Sequence, residues 1–498
     1  MVGRTVGYEF LREQLNLSAF PCARPARIAS VTKVIQGPDS LEIPASVAPA
    51  SQIPLDHVLF ALKHEGINLQ VLAQALPRIP AAQIMEAFRS SPASKYIRIT
   101  AYLWEQFCGT EMAGIPAAIG PYVDLFDGSR YITGQRTRNT KWRVDFNGLG
   151  NIRYCPTVER TNIISELLEK NTLQRAQEFI SGLDLELLDR TMSWSYLSET
   201  ESSFAIEREN PSPSKAVAFT ELLKQARDTT PITEEYLVQL QNMTVTNPMD
   251  HDMQFRHRVN WLRGPGRGVL GITYVPPTPD LIPEIMDSVM DLLNHPPINV
   301  SPIIIGALAS FAFVFAHPFM DGNGRLSRFI FHKAVCKSKI LSQGLVLPIS
   351  IAMKRNESNY LQALKSFSVP ARRLWDISMI DDENFDLKFK GESSIYRYWD
   401  ATQCVEFGLK MAQQALELDL YNETSYLKKY NTIYDKINSE IDINNNDLSL
   451  MVRLCLQNDG LVSLSQRKKF LANGYKEETI KMVESIATSA LNGGATTL

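Results

Sequence analysis

His317-Pro318-Phe319-Met320-Asp321-Gly322-Asn323-Gly324-Arg325-Leu326-Ser327-Arg328 separates an apolar run at 303–316 from a second helical pattern at 329–335, so it reads as a loop that opens into a helix. Its residues suit phosphate. The Gly322-Asn323-Gly324 backbone can turn sharply, and its amides, with the positive end of the following helix, form a cradle for anionic oxygens. Arg325 and Arg328 stand three positions apart, where both can lie on one face of the first helical turn and each can fork onto a different phosphate. Asp321 is a hard oxygen ligand able to hold Mg2+ between two phosphates. His317, just ahead of the cradle, can take a proton from an incoming hydroxyl while its imidazole is neutral. Taken singly, each would pass for a satisfied histidine or a solvated arginine on a surface loop. The set points to a nucleotide.

The stretch resembles the Fic-family signature HxFx(D/E)GNGRxxR at every specified position. The resemblance implies a mainly α fold, a Fic-type helical core with a short β-hairpin flap, here with N-terminal and C-terminal helical lobes added. It also implies a protein adenylyltransferase, which moves AMP from ATP onto a Ser, Thr or Tyr hydroxyl of a protein. In the family's pattern His317 is the general base, Asp321 holds Mg2+, and Asn323 with the neighbouring amides stabilises the α-phosphate. Arg325 binds the inner phosphates and Arg328 the γ-phosphate, with Gly322, Gly324, Leu326 and Ser327 completing the ATP-binding stretch. Phe319 is expected as a buried anchor. Gly324 stands where the related Doc kinases carry lysine, and glycine there favours AMP transfer over phosphorylation.

Upstream, Ser202-Ser203-Phe204-Ala205-Ile206-Glu207-Arg208-Glu209-Asn210 resembles the family's inhibitory motif, (S/T)xxxE(G/N), with Ser203 and Glu207 in place. Arg208 departs from it, at a position where glycine or asparagine usually ends the helix. A carboxylate paired with Arg328 would take the guanidinium fork meant for the γ-phosphate. Read without the family, Ser203 is a helix cap and Glu207 a solvated helix residue. The β-branched run at 268–275, ahead of Pro276-Pro277, reads as a strand or hairpin. It resembles the flap that aligns a target segment by main-chain pairing, which would place Leu270, Gly271 and Ile272 near nucleotide or target; an ordinary packed hairpin is the alternative. Tyr360 resembles a tyrosine that lines the adenine pocket, and a core aromatic is its alternative. The resemblance covers residues 202–360.

A chain of 498 residues exceeds one hydrophobic core, so several domains are expected. Composition shifts suggest an extended arm at 1–54, rich in Pro, Ala and Ser, and a helical lobe with an irregular β-rich linker at 55–156. The catalytic core with its inhibitory motif follows at 157–375, and a C-terminal helical lobe at 376–498. Helical periodicity appears at 55–64, 69–76, 81–88 and 99–107, a spacing compatible with a helix-turn-helix but lacking the concentrated Lys/Arg face that phosphates need. Glycines 493 and 494 with the residues after them suggest a frayed tail.

A formal net charge of −3, with 44% hydrophobic and 21% charged residues, describes an ordinary globular protein and gives no bias towards nucleic acid or a membrane. The run at 303–316 is too short for a bilayer span, and charged residues near the start interrupt any secretory leader. Six scattered cysteines fit reduced thiols, so a cytoplasmic location is expected. The expected partners are ATP, Mg2+ and a protein substrate that can be the chain itself, with a homodimer left open and nucleic acid disfavoured. The rival readings are transfer of UMP, GMP or phosphocholine, removal of AMP at the same site, and an ATP-sensing regulator that binds DNA or protein through its terminal lobes.

Overall fold

The computed structural model describes residues 3–245, 247, 249, 251–342, 344–381 and 384–493. Of the expected tail at 493–497, Gly493 closes helix Glu477–Gly493 and the rest lies outside the described residues. The body is mainly α with four small sheets among the described residues, and three large apolar cores organise it beside two small ones, one at the N-terminal sheet and one at 272–385.

The largest core surrounds the helix Pro302–Ala316, whose side chains are buried nearly all round, as its unbroken apolar sequence requires. It packs against helices Asn323–Lys337, Ile282–Asn294 and Thr402–Gln414. Small residues set these close approaches. A Cβ added at Gly306 would come within 3.0 Å of the Phe331 carbonyl oxygen, and one at Gly408 within 2.5 Å of the Ala307 Cβ. Because Thr402–Gln414 supplies Cys404, Val405, Phe407 and Met411 to this same core, the boundary expected at 376 does not separate a lobe. The independent C-terminal core begins later, at Ile433, and runs to Ala487.

The second core joins helices Pro54–His64, Leu69–Ala75, Ala81–Ser90 and Lys95–Cys108 to Val144 and Phe146 of the three-stranded sheet beside them and to Trp142 in the turn ahead of that strand. The four helical patterns in the sequence lie within one to four residues of these bounds. Residues 1–54 differ from the expected extended arm. Helix Gly7–Gln14 buries Tyr8 and Leu11 in the second core, and strands Ala26–Ala29, Ile35–Gln36 and Leu41–Pro44 form a sheet. Strands this short fall between Pro, Gly and Ser turns, so local composition shows the turns and hides the pairing that long-range contacts supply.

The flap is also shorter than its sequence suggested. Strand Leu262–Arg263 pairs antiparallel with Ile272–Tyr274, while Gly268–Gly271 forms a 3-10 turn. Glycine is needed at Gly271, where a Cβ would lie 2.4 Å from the Gly266 carbonyl oxygen. A second hairpin, Trp375–Met379 with Phe385–Phe389, packs on the flap through Trp375 and Phe385 and had no counterpart in the helical reading of this region.

Candidate functional site

His317 ends the apolar helix in a left-handed backbone conformation, φ 50° and ψ 59°. A non-glycine residue there is held by its surroundings, since the conformation costs about 1–3 kcal/mol. Those surroundings are unusual. The guanidinium of Arg256, only 3% exposed, donates from Nε to the His317 carbonyl at 2.7 Å and from Nη2 to the Ala316 carbonyl at 3.3 Å. Its remaining bonds reach the carbonyls of Arg258 and Pro277, and its backbone N–H donates to Pro318. The His317 ring lies with Nδ1 3.3 Å from the Val314 carbonyl, which selects the tautomer protonated at Nδ1 and leaves Nε2 without a protein partner among the described residues. Burial and the nearby Arg256 charge lower the imidazole pKa to about 4, against a weaker upward pull from the Val314 bond. The ring is therefore a neutral base at ordinary pH.

The loop after it is pinned by Asn323, whose side chain accepts from the Phe319 amide at 3.0 Å and donates to the Phe319 carbonyl at 2.8 Å. Phe319 is fully buried beside Phe255 and Phe313, as an anchor should be. Asn323 thus uses its side chain on the loop itself, and what it can offer an anion is its main-chain amide. Gly322, at φ 83°, turns the chain into helix Asn323–Lys337, whose ladder begins with the Leu326 amide on the Gly322 carbonyl. The amides of Asn323, Gly324 and Arg325 precede that bond and stand at the helix mouth. Leu326 and Ser327 turn their side chains away from it, Leu326 into the core and Ser327 onto the Gly324 carbonyl.

Arg325 and Arg328, each 1% exposed, are brought together with the upstream segment. Arg328 donates from Nε to the Ser203 hydroxyl at 2.7 Å and from Nη2 to the Ser203 carbonyl at 2.8 Å and to Glu207 Oε1 at 2.9 Å. Arg325 pairs with Glu209 at 2.8 Å and more loosely with Asp321 at 3.4 Å, and lies over the Phe204 ring. Glu207 also crowds the helix mouth, since a Cβ on Gly324 would fall 2.0 Å from its Oε1. Two donors, Arg325 Nε and Arg328 Nη1, are buried and bonded to nothing described. Such atoms want an acceptor.

The segment that delivers these carboxylates is the end of helix Leu185–Ile206. Arg208 adopts the left-handed conformation at φ 60°, and the amides of Arg208 and Glu209 bond back to Ala205 and Phe204, so the helix ends at the expected place although the residue is not glycine. Deeper in the same helix the wholly buried Glu199 meets His332 at 2.9 Å and accepts from the Ser350 amide and hydroxyl. Burial would raise its pKa, but His332 and the Ser350 bonds hold it below the usual carboxylate range. Ser195 bonds the Val346 carbonyl in the same zone.

The other expected residues sit further out. Tyr360 is half-buried against Phe311 and Phe407 and lines a small apolar cavity with Met353 and Met411. Burial raises its pKa to about 12, with Arg328 lowering and Glu207 raising it. Leu270 is exposed at the flap's tip, Gly271 is buried against Gly266, and Ile272 packs with Val275, Trp375 and Phe385. The Ile272 side chain therefore serves the flap's own core. Sequence reading missed Arg256 and Glu209. Glu209 had a visible signal in its position two residues past Glu207, whereas the backbone carbonyls that Arg256 serves leave no trace in sequence.

Among the described residues no helix is long and apolar enough to cross a membrane. Residues 231–335 match the family model described as Fic/DOC family. A Fido domain-containing protein of Dictyostelium discoideum is 32% identical over 90 residues, 18% of this chain and 58% of that protein, so the chain spans less than two thirds of this relative. Solved structures with a looser likeness include a Fic family protein from Desulfovibrio desulfuricans, 18% identical over 61% of this chain and 90% of that one at a TM-score of 0.41. Fic-1 from C. elegans is 13% identical over 77% and 90%, at a TM-score of 0.36. The sequence match encloses the whole 317–328 loop and the Arg256 that braces it, and on that match the chain carries a Fic/DOC family domain at residues 231–335.

Proposed function

We propose that this chain is a protein adenylyltransferase, moving AMP from ATP to a protein hydroxyl, held inactive by its own acidic segment at 203–209. One observation carries the reading. Both buried arginines of the phosphate-type loop are engaged by carboxylates from a single segment, while each keeps one buried donor that bonds nothing described. A triphosphate would supply acceptors to those donors and displace the carboxylates. Asp321 is a half-buried carboxylate at the helix mouth, and no group of three or more ligating side chains exists among the described residues. That donor set fits Mg2+ arriving with a nucleotide, because the ion takes one or two carboxylates and completes its shell with phosphate oxygens and water. When bound, the ion would neutralise phosphate charge.

In this reading His317 Nε2 accepts the proton of the target hydroxyl. The hydroxyl oxygen forms a bond to the α-phosphorus as the bond to the pyrophosphate oxygen breaks. The amides at the helix mouth, with Arg325, stabilise the charge that develops. The neutral imidazole required for the first step is supported by the low pKa of His317. Incubating wild-type, Glu207→Gly and His317→Ala proteins with α-labelled ATP, UTP and GTP in a lysate tests the proposal. Protein-bound label is expected from ATP with the Glu207→Gly form and absent with His317→Ala. Label from UTP or GTP alone would reassign the nucleotide, and label persisting without the histidine would refute the base.

A further inference from the structure

Arg256 is a buried cation with an odd set of partners. Its hydrogen-bond acceptors are all backbone carbonyls, and no carboxylate pairs with it among the described residues. Burial lowers its pKa to about 10, the ordinary sign of a charge kept in a poorly solvated place, with the phenols of Tyr274 and Tyr396 offsetting part of that. A structural crosslink between loops could be made by a neutral donor at lower desolvation cost. The partners share a location. Ala316 and His317 close the apolar helix, so their carbonyls are unsatisfied by the helix and carry its negative end, and Pro318, which accepts from the Arg256 amide, begins the loop. Pro277 lies just beyond the flap strand Ile272–Tyr274.

We propose that Arg256 is the positioning residue of His317: its planar fork ties the carbonyls at the imidazole-bearing turn to the segments before and after the flap, and so fixes the direction of Nε2. The fork's geometry matters as well as its charge, since four acceptors in different directions are reached from one planar group and a lysine ammonium has only three rotatable donors on a flexible stem. Two further ties run between the same parts. Tyr274 donates to the Phe315 carbonyl at 2.6 Å and Asn260 to the Phe319 carbonyl at 3.4 Å, so flap and histidine turn form one braced unit. Target alignment by the flap and proton removal by the histidine are then set by one guanidinium. The inference rests on the proposed role of His317 as base, but its geometric content does not depend on which group is transferred.

The test uses the full chain carrying Glu207→Gly, with Arg256→Lys and Arg256→Met as variants. Ring nitrogens of His317 are followed by NMR on histidine-labelled protein, assigned by loss of the signal in His317→Ala, and ATP affinity and AMP transfer are measured in parallel. Arg256→Lys is expected to leave ATP affinity within about twofold while lowering kcat at least tenfold. Its His317 ring should lose the single Nδ1-protonated tautomer. In Arg256→Met the His317 titration should also move up from its low value. The lysine form carries the test if the methionine form does not fold. An unaltered tautomer and kcat in Arg256→Lys would overturn the inference. If the Glu207→Gly parent shows no transfer at all, the proposed reaction fails, and the tautomer signal still decides whether Arg256 orients the ring.

Discussion

The nitrogen that would take the proton belongs to a ring whose other nitrogen is committed to a backbone carbonyl and whose neighbour is a buried guanidinium. A histidine at its ordinary value near 6.5 would lose half its base form on moderate acidification. With the free-protein value lowered to about 4, kcat/KM of the Glu207→Gly form should be flat from pH 6 to 8 and fall only as pH approaches 4. Initial rates across pH 4–8 check this, and an acid limb centred near 6.5 would contradict the burial argument. Arg208 gives a second residue-scale expectation. Its left-handed backbone costs about 1–2 kcal/mol for a side-chain-bearing residue. Arg208→Gly should therefore raise the thermal midpoint and hold the Glu207–Arg328 pair closed more of the time, lowering basal transfer several-fold.

At the scale of elements, the segment ending helix Leu185–Ile206 reaches the helix Asn323–Lys337 through two carboxylates, Glu207 on Arg328 and Glu209 on Arg325, besides the Ser203 bonds to Arg328. Both carboxylates are about one third exposed, so each contact is screened and modest. Glu209→Ala is expected to raise transfer about two- to fivefold, less than Glu207→Gly, because Glu207 also crowds the amides at the mouth. Added salt should shrink the Glu209 effect, and equal rates for wild type and Glu209→Ala at low salt would remove it from the latch. Much of this was legible in sequence. The stretch at 317–328 does open into a helix, though already at Asn323 rather than near 329, Ser203 and Glu207 stand on Arg328, and the apolar run became the central helix within one residue. What was hidden depends on distant partners. Arg256 reads as one arginine in a polar stretch until its carbonyls are in place, and the hairpin beginning at Trp375 gains its apolar neighbours from the distant flap and, at Phe389, from Tyr396. Residues 7–14 looked like part of an arm because their apolar face needs helix Pro54–His64 to be buried.

Over the whole molecule, three large apolar cores stand out, and the largest one takes in most of the buried apolar residues of the Fic/DOC match, those of the flap excepted. The contacts of Glu199 with His332 and Ser350, and of Ser195 with Val346, fasten the middle of helix Leu185–Ile206 to the body that carries the arginines. An activating signal can therefore hardly lift that helix away as a rod, since Glu199 would leave with it and the buried His332 ring and Ser350 amide would lose their acceptor. Unlatching has to begin past this rivet, as fraying of the final turn around Glu207. Amide exchange should then be fast across 204–209 and slow across 190–200 in the same molecule. A uniform exchange rate along both stretches would mean that the helix departs in one piece.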